Sequence, residues 1–174
     1  MRVILPYSVK RKVKAMKYIL APSLLAADFT KLGEQIKETE EAGAEYLHID
    51  VMDGLFVPSI SFGMPLIESI RPASKQFFDV HSMIVEPERY IDEFVRCGAD
   101  SITFHLEATK DPQAVIDKIH ACGVQAGISI KPGTPLEEVY PYVDQVEMVL
   151  IMSVEPGFGG QAFIPESYNR IRQL

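Results

Sequence analysis

Three side chains in this sequence are of types that do chemistry and sit where plain core packing would not place them. His48 and Asp50 lie two residues apart in Tyr46-Leu-His-Ile-Asp-Val-Met52, and His81 lies in Phe77-Phe-Asp-Val-His-Ser-Met83. Side chains alternate along a strand, so Tyr46, His48, Asp50 and Met52 share one face while Leu47, Ile49 and Val51 share the other. The aliphatic face suits packing against helices, which leaves an imidazole and a carboxylate inside. A buried, unpaired polar or charged group is costly, and a divalent metal answers that cost. Two nitrogens and one oxygen from neighbouring strands suit Zn, Fe, Mn or Co, with a fourth ligand or an open position to complete the shell. A single such His is more simply a core residue bonded to its neighbour. Three groups at aligned strand ends, with Gly54 and a Pro-containing loop following, favour the metal.

A second chemical feature is Ser153-Val-Glu-Pro-Gly-Phe-Gly-Gly-Gln161. Gly157, Gly159 and Gly160 let successive backbone N–H groups turn inward around an anion, and phosphate is the usual guest of such a nest beyond a barrel strand. Lys131, after an earlier strand, fits a solvated surface lysine better than a further anion contact. Met52, Met83 and Met152 recur at equivalent places on three strands and could line a pocket beside a metal, although ordinary packing accounts for each singly.

Glu41–Asp50, Arg96–His105 and Ala121–Ile130 echo one another as a helix end, a glycine and a short strand. Gly43, Gly98 and Gly123 occupy the helix-closing position that favours a left-handed residue. Amphipathic helical patterns precede these strands at 29–41, 87–96 and 112–121, with Asp28, Glu86 and Asp111 near their starts and Pro87 and Pro112 in first turns. The expected strands are 18–22, 45–51, 77–83, 100–106, 124–130 and 146–152, with helices between them and a last helix starting near Pro165. Repeated αβ units build either a doubly wound sheet or a closed (β/α)₈ barrel. After the first strand the chain reads Ala21-Pro-Ser-Leu-Leu-Ala26, without the glycine fingerprint of a dinucleotide fold. The pattern therefore favours the TIM (β/α)₈ barrel, with about six of its eight units in this chain.

Of 174 residues, 47% are hydrophobic and 24% charged, which suits one globular domain. The net charge of −7 is uneven: residues 1–17 carry Arg2, Lys10, Arg11, Lys12, Lys14 and Lys17 and no acid, and the remainder has 11 basic against 24 acidic side chains. So acidic a body is a poor nucleic-acid binder. Residues 1–15 read as a disordered basic extension and 16–174 as the barrel domain, incomplete at its C-terminus. No apolar run is long enough to span a bilayer. Cys97 and Cys122 cannot build a disulfide framework and fit a reducing, cytoplasmic setting.

Four motifs then match a known family in order and spacing. Ala21-Pro-Ser-Leu-Leu25, His48-Ile-Asp-Val-Met-Asp-Gly-Leu-Phe-Val-Pro58, Asp79-Val-His-Ser-Met-Ile84 and Met152-Ser-Val-Glu-Pro-Gly-Phe-Gly-Gly-Gln161 resemble the ribulose-phosphate 3-epimerase family, from about Met16 to Leu174. The resemblance implies a (β/α)₈ barrel, often homo-oligomeric, that interconverts D-ribulose 5-phosphate and D-xylulose 5-phosphate through an enediolate with one divalent metal. Carried over by position, His48, Asp50 and His81 would bind the metal and Asp50 would also accept the proton. Ser23 and His81 would contact substrate, and Gly157, Phe158, Gly159 and Gly160 would hold its phosphate. The second acid and a fourth ligand would come from an Asp on a seventh strand, outside these 174 residues, so the chain alone is expected to turn over little. Ser59, Ser82 and Lys131-Pro-Gly depart from the commoner Asn, Leu and Asn-Pro-Ala. A sister activity on a six-carbon ketose phosphate such as allulose 6-phosphate, or a non-catalytic phosphate- and metal-binding fragment, are the alternatives.

Overall fold

Alternation of aliphatic and polar residues sets the strands. In the computed structural model, which describes residues 18–174, β1 (Tyr46–Met52), β2 (Phe77–Met83), β3 (Ser101–His105), β4 (Gln125–Ile130) and β5 (Met148–Ile151) form one parallel sheet in the order β1-β2-β3-β4-β5. A doubly wound sheet reverses its order at a switch point. This one advances in a single direction, as a barrel wall does. The expected arm at 1–15 lies outside the described residues.

The first expected strand, 18–22, is reduced. Tyr46 and His48 donate backbone bonds to Leu20 and Pro22 (3.1 and 2.9 Å), and Ser23 makes one parallel bridge to His48, but no ladder forms. Pro22 has no N–H to give a sheet, and the chain turns at once into a 3₁₀ stretch, Leu24–Ala26. The other strands agree with expectation within a few residues, the sixth shortened to Met148–Ile151.

The helices are α1 (Leu32–Glu41), α2 (Met64–Ile70), α3 (Ile91–Arg96), α4 (Pro112–Ala121) and α5 (Ser167–Gln173); α1, α3 and α4 fall within the amphipathic patterns, and α2 and α5 in intervals left for helices. Asp111 caps α4 by accepting from Ala114 N–H (3.0 Å), and Asp28 accepts from Thr30 N–H (2.9 Å). Glu86 caps nothing and is instead left-handed, at φ 50°. Gly43, Gly98 and Gly123 all adopt the expected positive φ, 94°, 101° and 80°. Between β4 and β5 the chain forms not an α-helix but a 3₁₀ stretch, Leu136–Gln145, with Pro141 inside it, whose ring in an α-helix would press on the Glu137 carbonyl.

The core lies between sheet and helices. Leu47, Ile49, Phe78, Val80, Ile102, Phe104, Ala126, Ile128 and Ile130, the outward residues of four strands, pack with Ile36, Ile67, Phe94 and Ile116 from the helices. Cys97 is buried and Cys122 half-buried, both as free thiols. The inward faces are free to carry the site.

Candidate active site

Strand register decides which polar groups meet. Asp50 stands opposite His81 and His48 opposite Asp79 between β1 and β2, while Asp79 faces Ser101 and His81 faces Thr103 between β2 and β3. One carboxylate oxygen, Asp50 Oδ1, lies 3.1 Å from His48 Nε2 and 2.9 Å from His81 Nδ1. The other, Oδ2, accepts the Ser23 hydroxyl at 2.8 Å, and the Ser23 Oγ also accepts Leu25 N–H at 3.2 Å. Asp50 is 8% exposed and His81 1%.

Burial opposes charge on His48, yet carboxylates at both its ring nitrogens, Asp50 and Asp79, outweigh it and raise its pKa to about 10. Burial likewise pushes the Asp50 carboxyl up, but His48 and His81 hold it far below the ordinary range, so it is ionised at neutral pH.

His48, Asp50 and His81 each offer a donor atom within 4.8 Å of the others, and among the described residues this is the group of three able to hold a metal ion. Ligands of one tetrahedral ion at metal bonds near 2 Å sit about 3.4 Å apart, so the cluster fits after small adjustments. The surroundings fit as well. His48 Nδ1 is 2.7 Å from Asp79 Oδ2, and Asp79 Oδ1 accepts the Ser101 hydroxyl at 2.8 Å. A carboxylate behind the ring leaves Nε2 as the ligating nitrogen, the usual outer support of a metal-bound imidazole.

The glycine loop follows β5. Gly157 has φ 120° and Gly160 φ 71°. Gln161 Nε2 clamps the loop by donating to the carbonyls of Glu155 (2.6 Å) and Phe158 (2.9 Å). The N–H groups of Gly157 through Gly160 donate to no acceptor among the described residues. One cavity of about 460 Å³ joins the two features: Ser23, His48, Asp50, Met52 and His81 line one side, and Met152 with Gly157, Phe158, Gly159 and Gly160 line the other. Met83 is the exception. It is 2% exposed, packed with Met52 and Val57, and not on the cavity wall. Lys131 is also elsewhere, its ammonium 3.9 Å from the Phe56 ring centre.

The model of the ribulose-phosphate 3-epimerase family matches residues 19–174. The chain belongs to that family. The ribulose-phosphate 3-epimerase of Synechocystis sp. is 48% identical over 158 residues, covering 90% of this chain and 69% of that protein. The cytoplasmic isoform of Oryza sativa subsp. japonica is 44% identical over 159 residues, 89% of this chain and 70% of that one. In structure the chain is similar to a mutant tryptophan synthase α-subunit from Pyrococcus furiosus, with TM-score 0.63 and 14% identity over 89% of this chain and 73% of that one. That likeness shows the TIM-barrel fold. No helix among the described residues is long and apolar enough to cross a membrane.

Beyond the residues singled out from the sequence, this epimerase-family site uses Asp53, Ser61, Asp79, His105 and Glu107. Asp53 accepts N–H bonds from Leu55, Phe56 and Val85 (2.8–2.9 Å), tying the loop after β1 to the one after β2. Ser61 locks the end of β1 by donating to the Asp50 carbonyl (2.7 Å) and accepting Met52 N–H (2.9 Å). His81 Nε2 is 3.0 Å from His105 Nε2, and His105 Nδ1 is 3.3 Å from Glu107 Oε2. The signals were period and repeat: Asp79 shares the parity of His81, and His105 ends its repeat where Asp50 ends the first.

Proposed function

We propose that this epimerase-family chain inverts C3 of D-ribulose 5-phosphate, giving D-xylulose 5-phosphate, with Asp50 as the base that takes the C3 proton. The observation that carries this reading is the single cavity holding an ionised, hydrogen-bonded carboxylate at one side and a glycine loop with unused N–H donors at the other. A five-carbon phosphate needs both. The C3 hydrogen is acidic because it lies α to the C2 ketone, and its removal leaves an enediolate. His48, Asp50 and His81 would hold a divalent ion, which supplies Lewis-acid stabilisation of the oxygens' developing charge when bound. Ser23, bonded to Asp50, orients the carboxylate and reaches the cavity. Gly157 to Gly160 anchor the phosphate, so binding energy distant from C3 positions the reacting carbon. Inversion also needs an acid on the opposite face, expected on a further strand of the family's barrel.

The test uses the protein expressed from its full reading frame, in deuterated water with a divalent ion. The expected result is xylulose 5-phosphate labelled at C3, with Asp50→Asn slower by about 10²–10⁴-fold. Faster turnover of allulose 6-phosphate would overturn the five-carbon assignment. C3 exchange undiminished in Asp50→Asn would overturn the base. Self-association belongs to the same proposal: Leu55 and Ile60, 76% and 79% exposed after β1, are apolar surface available for it. Sedimentation of the same protein checks this, and a monomer would count against it.

A further inference from the structure

We propose that His105 and Glu107 form an outer relay that fixes the ring tautomer and orientation of His81, so that the site's metal affinity depends on the loop Lys131–Thr134. This rests on the reading of His81 as a metal ligand.

His81 turns Nδ1 toward Asp50 and Nε2 toward His105 Nε2, 2.9 and 3.0 Å away. Two imidazole nitrogens facing each other in hydrogen-bond contact share one proton between them, and which ring owns it decides the chemistry. If His81 carries it, its Nδ1 is a free lone pair, ready for a cation. If a neutral His105 carries it, a neutral His81 must hold its own proton on Nδ1, where a cation would bind.

Two carboxylates bear on the choice: Asp50 Oδ1 faces His81 Nδ1 at 2.9 Å and without an ion would claim the N–H there, but an ion shared by those two atoms takes that proton's place and leaves the decision to Glu107. A carboxylate only accepts, and its Oε2 sits 3.3 Å from His105 Nδ1. That nitrogen therefore keeps the N–H of the neutral ring and leaves Nε2 to accept from His81. The carboxylate is itself held: Oε1 accepts Lys131 N–H at 2.8 Å and the Thr134 hydroxyl. The Lys131–Thr134 loop is clasped in turn by Arg170 of α5, whose guanidinium donates to the carbonyls of Lys131 (3.3 Å), Pro132 and Thr134 (2.8 Å). His105 is 0% exposed, with the Phe56 ring 4.8 Å from its own, so water does not compete for its nitrogens. A ring placed for packing alone would not need an acid behind it. Outer partners of metal ligands typically change affinity by about 10–100-fold when lost.

The Glu107→Gln change is the sharp probe because the shape stays. A glutamine has one acceptor where the carboxylate serves both His105 and the loop, and its NH₂ turned toward Nδ1 would reverse the tautomer. Zinc and cobalt binding would be measured by calorimetry on the full-frame protein, its Glu107→Gln, His105→Phe and His81→Ala variants, with melting curves as the check on folding. Expected are losses of about 10–100-fold in Glu107→Gln and His105→Phe, and loss of binding in His81→Ala. Nitrogen-15 imidazole spectra of the zinc-loaded unmodified protein, which need no variant to fold, should show His81 protonated at Nε2 and His105 at Nδ1. An unmodified protein that binds no ion, or a His81→Ala variant that binds as well, would overturn the ligand reading and the relay with it. Dependence on His81, but affinity within twofold in both outer variants or the opposite tautomers, would overturn the relay alone.

Discussion

His48 meets a carboxylate at each ring nitrogen, and the two carboxylates have different work. Asp50 faces the cavity, whereas Asp79, behind the ring, is 3% exposed and held by Ser101. Asp79→Asn keeps the volume but lets the amide turn its NH₂ toward Nδ1, so zinc affinity should fall about 10–100-fold with the far-ultraviolet dichroism unchanged; calorimetry checks it. Glu107 gives a pH prediction. Burial raises its carboxyl pKa, but His105, Thr134 and the Lys131 N–H more than offset this and lower it to about 2. A folded pKa below the unfolded one adds stability that is present above pH about 4.5 and lost as pH falls toward 2. Denaturation across that range should therefore show a steeper acid loss in the unmodified protein than in Glu107→Gln. Equal slopes would sink the assignment.

Among the elements, the β3–β4 pair leaves room only for a glycine opposite Thr103. A methyl on Gly127 would collide with Oγ1 of Thr103, its partner across the ladder. Thr103 is β-branched and 0% exposed, so it has little room to turn. Gly127→Ala should cost about 1–3 kcal/mol in urea denaturation, and adding Thr103→Ala should return most of it. Much of the element layer was legible beforehand. Strands such as β1 and β3 have a clean period of two and glycine-ended helices before them. The misses lay at prolines whose effect the apolar periodicity masked: Pro22 leaves the first strand as a bridge, and Pro141 lies inside the 3₁₀ stretch that stands where an α-helix was expected. In the site, His48, Asp50 and His81 stood out as polar groups on apolar strands. His105 did not, because its meaning comes from a register that pairs β2 with β3 and leaves His105 two residues beyond the partner of His81. Met83 shares the parity that placed Met52 on the wall, but it packs into a small cluster with Met52 and Val57 and does not line the cavity.

Across the whole molecule, the parallel sheet divides the chain into two environments. The outward side is an apolar core and the inward side a chain of hydrogen bonds running from Ser23 through Asp50, His81 and His105 to Glu107. Arg170 then ties α5 to that chain's last anchor, the loop Lys131–Thr134. The glycine loop also meets the segment that follows β1. Gly157 lies against Val57, where an added methyl would come within 3.2 Å of the Val57 Cβ, and its φ of 120° disfavours any other residue. Gly157→Ala should raise KM for the sugar phosphate more than it lowers kcat, since it disturbs the anchor and not the base; steady-state kinetics checks this. Val57 is only seven residues from Asp50 along one short stretch of chain, buried against Met52 and Met83. On the proposed reading, Val57 with Pro58 beside it is the fixed jaw of a caliper, against which the span from phosphate anchor to base is set.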